Sequence, residues 1–143
     1  MDTEITLRVD GAVHPITVDT RTTLLDGRRV NSCLVLAVTV GEAEVTTSDG
    51  LAAGDQPHAL HRSFVEHDAF QCGYCTAGQV CSAAGMIEEA RRGWPSAVTE
   101  ATEVDLTDAE IRERMSGNLC RCAAYANIVP AVAAVAAAEG VRT

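Results

Sequence analysis

Two close pairs of cysteines constrain this chain more than any other feature. The stretches Phe70-Gln71-Cys72-Gly73-Tyr74-Cys75 and Asn118-Leu119-Cys120-Arg121-Cys122 set out a C-x2-C pair and a C-x-C pair with 44 residues between them. Four soft thiolates can close a cage around a metal or a small cluster, and such a cage holds iron-sulfur or zinc. The fold must therefore bring two segments distant in sequence to one place. C-x2-C alone also marks redox dithiols and zinc knuckles, whereas two pairs together point to a metal site. Spacing does not separate zinc from iron-sulfur. The start Met1-Asp2-Thr3-Glu4 lacks the basic and apolar regions of a secretory signal, so a cytoplasmic chain with reduced thiols is expected rather than disulfides.

Each pair precedes or opens a helix. Thr76 to Arg92 is free of Pro, carries Val80, Ala83, Ala84 and Ile87 at helical spacing, and meets Gly93 as a stop. Asn127 can cap a second helix running through Val129, Val132, Ala133 and Ala136 to Glu139, closed by Gly140. The unpaired N-H groups and positive end of a helix stabilise the negative charge of a thiolate cage and lower thiol pKa values. Arg121, between two of the cysteines, adds positive charge, and Gly73 lets backbone approach the sulfurs.

The 143 residues are 47% hydrophobic with a net charge of -9 and a pI near 4.8. That length buries a core as one domain or two small ones, and the acidity argues against nucleic acid or anionic lipid as partner. The longest apolar run, Ile128 to Ala138, is interrupted by Pro130 and is too short to span a membrane.

The texture changes near Ala52-Ala53-Gly54-Asp55, which suggests a first domain over 1–54 and a second over 55–143. Before the change, Ile5, Leu7 and Val9 alternate with polar residues, Asp10-Gly11 makes a turn, and Ile16 and Val18 alternate again, as in a hairpin. Val30 to Val40 and Glu44 to Thr47 continue in strand-like or mixed fashion. After it every segment reads as helix, with Pro57 in a first turn and Leu60, Phe64 and Val65 apolar. Thr107-Asp108-Ala109-Glu110 is a capping box stapled by Leu106 and Ile111, and Gly117 stops that helix. Trp94 to Asp105 reads as a polar surface loop. A cysteine pair followed by a helix occurs twice, which hints at a pseudo-symmetric four-helix bundle.

Other chemistry-bearing residues take ordinary structural roles. Cys81 turns about 180° from Cys72 on a helix and is expected as a small core residue rather than a fifth ligand. His58 and His61 are expected on a solvated helix face, and His14, His67 and the acidic run Glu100 to Asp105 on the surface. The chain shows no Ser-His-Asp set, phosphate-cradling loop or paired-carboxylate site, so turnover by this chain alone is not expected.

The strings Phe70 to Gly78 and Ser116 to Cys122, followed by Tyr125, Asn127 and Ile128, resemble the small iron-sulfur subunit of the molybdenum hydroxylases, the xanthine dehydrogenase and aldehyde oxidoreductase family. Val30-Asn31-Ser32-Cys33-Leu34 and Asp49-Gly50-Leu51 are similar to its ferredoxin-like part, and Thr107 to Cys122 looks closest to the aldehyde-oxidising bacterial branch. The resemblance implies an α+β chain, with a β-grasp ferredoxin-like domain followed by an all-α four-helix [2Fe-2S]-binding domain. It also implies that Cys72, Cys75, Cys120 and Cys122 ligate a [2Fe-2S] cluster and that Gln71 contacts the pterin of a molybdopterin cofactor. Partners would be a large molybdopterin-binding subunit and a medium FAD-binding subunit, with this chain relaying electrons from the first towards the second.

One departure from the family pattern stands out. The family's other cluster uses a plant-type C-x4-C-x2-C loop plus a later Cys, and only the later one, Cys33, exists here. Thr22 to Asp26 resembles the start of the family's first helix, while Gly27 to Val30 resembles the turn after its cluster loop and the next strand. A segment on the order of thirty residues is thus missing at the Asp26-Gly27 seam relative to the plant-type arrangement. The first domain is expected to be incomplete, Cys33 to be a free thiol, and the chain to hold one cluster. The rival readings are a zinc-stapled interaction module and a cluster-free scaffold subunit.

Overall fold

The computed structural model describes residues 2–19, 29, 34–100 and 103–143, with side chains at 2–5 and 16–19 excepted. The chain is α+β, a three-stranded sheet and four helices, and it divides into two compact units, Met1–Ala53 and Gly54–Thr143.

In the first unit β1 (Asp2–Val9) and β2 (Ala12–Asp19) form the expected hairpin, paired antiparallel from Asp2 opposite Asp19 to Val9 opposite Ala12. Its two-residue loop needs positive φ twice, and Asp10 and Gly11 supply it at 48° and 79°. β3 (Glu44–Val45) lies parallel to β1 on its other side, giving the order β2-β1-β3. Leu7, Val40 and Val45 are the buried centre. The Asp10 carboxylate fixes the turn to the chain after β3, accepting from the Thr47 N-H at 2.8 Å and the Thr47 hydroxyl at 2.6 Å. Of the strand-like or mixed stretch Val30 to Val40, the described part is mixed, with Leu36 in a β-bridge. Ala37–Thr39 is a 3-10 turn, closed by the Thr39 N-H and hydroxyl on the Leu36 carbonyl, a local bond that competes with a ladder. Cys33 and the Asp26-Gly27 seam lie outside the described residues.

The second unit contains α1 (Ala59–Glu66), α2 (Thr76–Arg91), α3 (Asp108–Met115) and α4 (Tyr125–Ala138). α4 packs on α1 and α3, and α2 packs on α1 and α3. Leu60, Phe64, Val80, Met86, Ile111 and Val132 are fully buried between them, and Ser63 donates to the Ala131 carbonyl across α1 and α4 at 2.8 Å. Gly93 ends α2 with φ +70°, as its sequence suggested. No described helix is long and apolar enough to cross a membrane.

Several local expectations need correction. Pro57 precedes α1, whose cap is His58: its Nδ1 accepts from the Leu60 N-H at 3.2 Å instead of facing solvent. His67 is half-buried, its Nδ1 2.9 Å from the Ser63 carbonyl. Cys81 is half-buried rather than core. α4 begins before Asn127, with Ala124 as cap, because Asn127 and Ile128 both direct their N-H groups to the Ala124 carbonyl.

At α3 only half of the capping box forms. Thr107 accepts from the Glu110 N-H, and Leu106 and Ile111 are buried as the staple requires. The Glu110 carboxylate turns inward instead, to Arg114 at 3.0 Å and to the Thr99 hydroxyl. Arg114 also reaches Glu89 and donates to the Trp94 carbonyl at 2.6 Å. Trp94 and Thr99 are thereby held, Val104 is buried, and Glu103 and Asp105 pair with Arg142.

Candidate metal centre

Cys75 caps α2, and Cys120 and Cys122 lie just ahead of α4, so both pairs stand at helix N-termini. Gly73, inside the first pair, has φ +79°, a conformation a side chain would strain. Ala123, directly after Cys122, is held at φ +57° without that freedom, the kind of strain that tight turns at functional sites store.

The four thiols come together. Cys72 lies close enough to Cys122, and Cys75 to Cys120, for the second thiol of each pair to shift the titration of the first. Each of these contacts joins one sulfur of the first motif to one of the second, and Cys72 also feels Cys120, so the four thiols gather in one place. Four thiols gathered from two motifs are a ligand set for a soft metal ion or a small cluster.

The surroundings favour the thiolate at Cys72 and Cys120 and oppose it at Cys75. The Tyr74 backbone N-H, and then the Cys122 thiol, hold Cys72 below its ordinary value. Cys120 is lowered first by the Ala124 N-H, which reaches its sulfur at 3.5 Å. Cys75 is pushed up by its burial and by Cys120 beside it. The Cys120 N-H is taken by the Tyr125 phenol oxygen at 2.5 Å. Gln71, Gly73 and Arg121 are exposed beside the thiols in sequence, and Tyr74 and Leu119 show 96% and 83% of their surface.

Polar clamps that the sequence did not suggest hold the two motifs in place. From α2, Gln79 donates to the Asn118 carbonyl at 2.9 Å and Ser82 to the Asn118 side-chain oxygen at 3.0 Å. From α4, Asn127 donates to the Asp68 carbonyl at 3.1 Å, just ahead of the first motif. Each motif is thus tied by the helix next to the other. Thr76 Oγ1 and Gln79 Oε1, both on the first turn after Cys75, are buried without a partner. The donor set and its N-H groups fit an iron-sulfur cluster.

Comparison with known proteins agrees with this geometry. Residues 47–133 match the [2Fe-2S] binding domain family. The aldehyde oxidoreductase iron-sulfur-binding subunit PaoA of Escherichia coli K12 is 44% identical over 162 residues, covering 90% of this chain and 69% of that one. The nicotinate dehydrogenase small FeS subunit of Eubacterium barkeri is 36% identical, covering 78% and 62%. Among solved structures, quinoline 2-oxidoreductase from Pseudomonas putida 86 superimposes with a TM-score of 0.77 at 30% identity, over 97% of this chain and 95% of that one. The chain belongs to the [2Fe-2S] binding domain family, among the iron-sulfur subunits of aldehyde oxidoreductase and xanthine dehydrogenase type enzymes. The PaoA alignment spans 162 positions but draws on 90% of 143 residues, leaving on the order of thirty positions with no residue of this chain opposite.

Proposed function

We propose that this chain is the electron-transfer subunit of a molybdopterin-dependent aldehyde or N-heterocycle oxidoreductase, relaying electrons from the molybdenum cofactor of a large subunit towards FAD on a medium subunit. Cys72, Cys75, Cys120 and Cys122 would hold one [2Fe-2S] cluster, which when bound accepts and returns single electrons. The observation that carries the reading is the gathering of the four thiols from two distant motifs ahead of two helix N-termini. The surrounding N-H groups stabilise thiolates, Gly73 gives backbone access to the sulfurs, and Arg121 adds positive charge nearby. Gln71 is the pterin contact by family likeness. Tyr74 and Leu119, exposed within the cysteine motifs, are suited to docking the large subunit, since interface cores favour aromatic and apolar side chains.

The 55–143 domain is the helical cluster-binding domain, and 1–54 a β-grasp ferredoxin-like domain shortened at Asp26-Gly27. With its three partner cysteines absent, Cys33 has no set to ligate with, and the chain carries one cluster where the family has two. Iron, sulfide and zinc analysis with a visible spectrum tests this. A brown protein with two irons and two sulfides per chain is expected. A colourless zinc protein would overturn the reading, and four irons would overturn the single-cluster count.

A further inference from the structure

We propose that Tyr125 is a positioning residue of the cluster: its phenol oxygen takes the backbone N-H of Cys120 and fixes the peptide from which that ligand's sulfur projects. The proposal rests on the iron-sulfur reading of the four thiols.

Tyr125 opens α4, and its hydroxyl oxygen accepts the N-H of Cys120, five residues earlier, at 2.5 Å. Side chains on a helix lean towards its N-terminus, so a residue in the first turn is placed to reach back over the loop that leads into it. The loop is tightly wound. Ala123 is held in the left-handed region at φ +57°, with its N-H on the Cys120 carbonyl at 3.2 Å, while the Ala124 N-H reaches the Cys120 sulfur at 3.5 Å. Cys120 is thus bonded at its N-H, its carbonyl and its sulfur. The donors to the carbonyl and the sulfur are backbone groups, which many residues could supply; the phenol acceptor is a choice of side chain.

Packing does not account for that choice, because phenylalanine would fill the same half-buried place and only the hydroxyl takes the N-H. Nor must a tyrosine beside these cysteines fold back, since Tyr74 of the first motif leaves its ring in solvent. Behind Tyr125, α4 buries Ile128, Val129 and Val132 and packs on α1 and α3. The phenol therefore ties the peptide of one ligand to a helix anchored on two others. A group that orients a metal ligand from outside governs how firmly the metal is kept.

The test compares iron-loaded full chains of wild type, Tyr125→Phe and Thr107→Ala by the rate of iron loss to a chelator and by electron paramagnetic resonance of the reduced cluster. Thr107→Ala is the matched control, since it also removes a hydroxyl oxygen that accepts a backbone N-H, on a helix without a cysteine. Tyr125→Phe is expected to lose iron roughly tenfold faster than wild type and to show altered g-values, and Thr107→Ala to follow wild type in both. A wild-type rate or wild-type g-values in Tyr125→Phe overturns the proposal, as does equal acceleration in Thr107→Ala, which would mark a stability effect alone. If Tyr125→Phe takes up no cluster, the phenol is read directly by ultraviolet resonance Raman in the loaded Tyr74→Phe chain, where Tyr125 is the one tyrosine left. The signature of an accepting phenol supports the proposal, and that of a phenol that only donates overturns it. Wild type without iron would instead sink the iron-sulfur reading itself.

Discussion

Arg114 and Glu110 are charged residues with side chains only 3% and 6% exposed, and their mutual contact, with Glu89 and the Trp94 carbonyl, makes that burial tolerable. Arg114→Ala would strand Glu110 and cost about 3–5 kcal/mol, measurable by urea unfolding of the purified chain. Burial opposes the Glu110 charge, yet hydrogen bonds from Thr99 and Ser96 and the Arg114 pair outweigh it and hold the carboxyl below its ordinary value. A folded value below the unfolded one gives stability that is complete above the unfolded pKa, near 4.5, and is lost as pH falls through the folded value. The wild-type chain should therefore lose stability on acidification below that range, and Arg114→Ala should show a weaker acid dependence, since the Thr99 and Ser96 hydrogen bonds remain. Among the cysteines, Cys120→Ser should release both irons of the cluster and lower the melting temperature, since cluster binding is also folding energy. Full iron content at wild-type stability would refute that ligand assignment.

At the scale of elements, two local devices set the geometry. Thr107 caps α3, and Thr107→Ala should cost about 1 kcal/mol by thermal melting, with no change in iron content because α3 carries no cysteine. In the first unit, the Asp10 carboxylate sits where a Cβ on Gly50 would be, 1.8 Å from it. Asp10→Ala should destabilise by about 1–2 kcal/mol through loss of the Thr47 bonds and of a residue tolerant of positive φ. Gly50→Ala would expel the same carboxylate. The double variant should then be little worse than the more damaging single one in chemical denaturation, whereas full additivity would disprove the coupling.

For the whole molecule, the proposed docking face predicts behaviour in co-expression. Tyr74→Glu together with Leu119→Glu should leave iron content and melting temperature of the isolated chain near wild type, since both side chains are largely in solvent, yet weaken co-purification with a large molybdopterin subunit at least tenfold, a loss of about 1.4 kcal/mol. Undiminished capture would place the interface elsewhere.

The sequence by itself determined the local features. The C-x2-C and C-x-C motifs pointed to a metal site because two close pairs of soft thiolates suit a metal or cluster, Asp10-Gly11 announced the hairpin because few residue pairs accept two positive φ values, and Thr107 announced a helix start. Each signal lies within a few residues, where backbone sterics and short-range hydrogen bonds decide. Tertiary structure decided what depends on partners from afar. It gathered the four cysteines in one place, turned Glu110 from its own cap to a buried arginine, and made His58 a cap. It also gave Gln79 and Asn127 their work, because a buried amide's role is fixed by the group opposite it, and those groups lie 39 and 59 residues away.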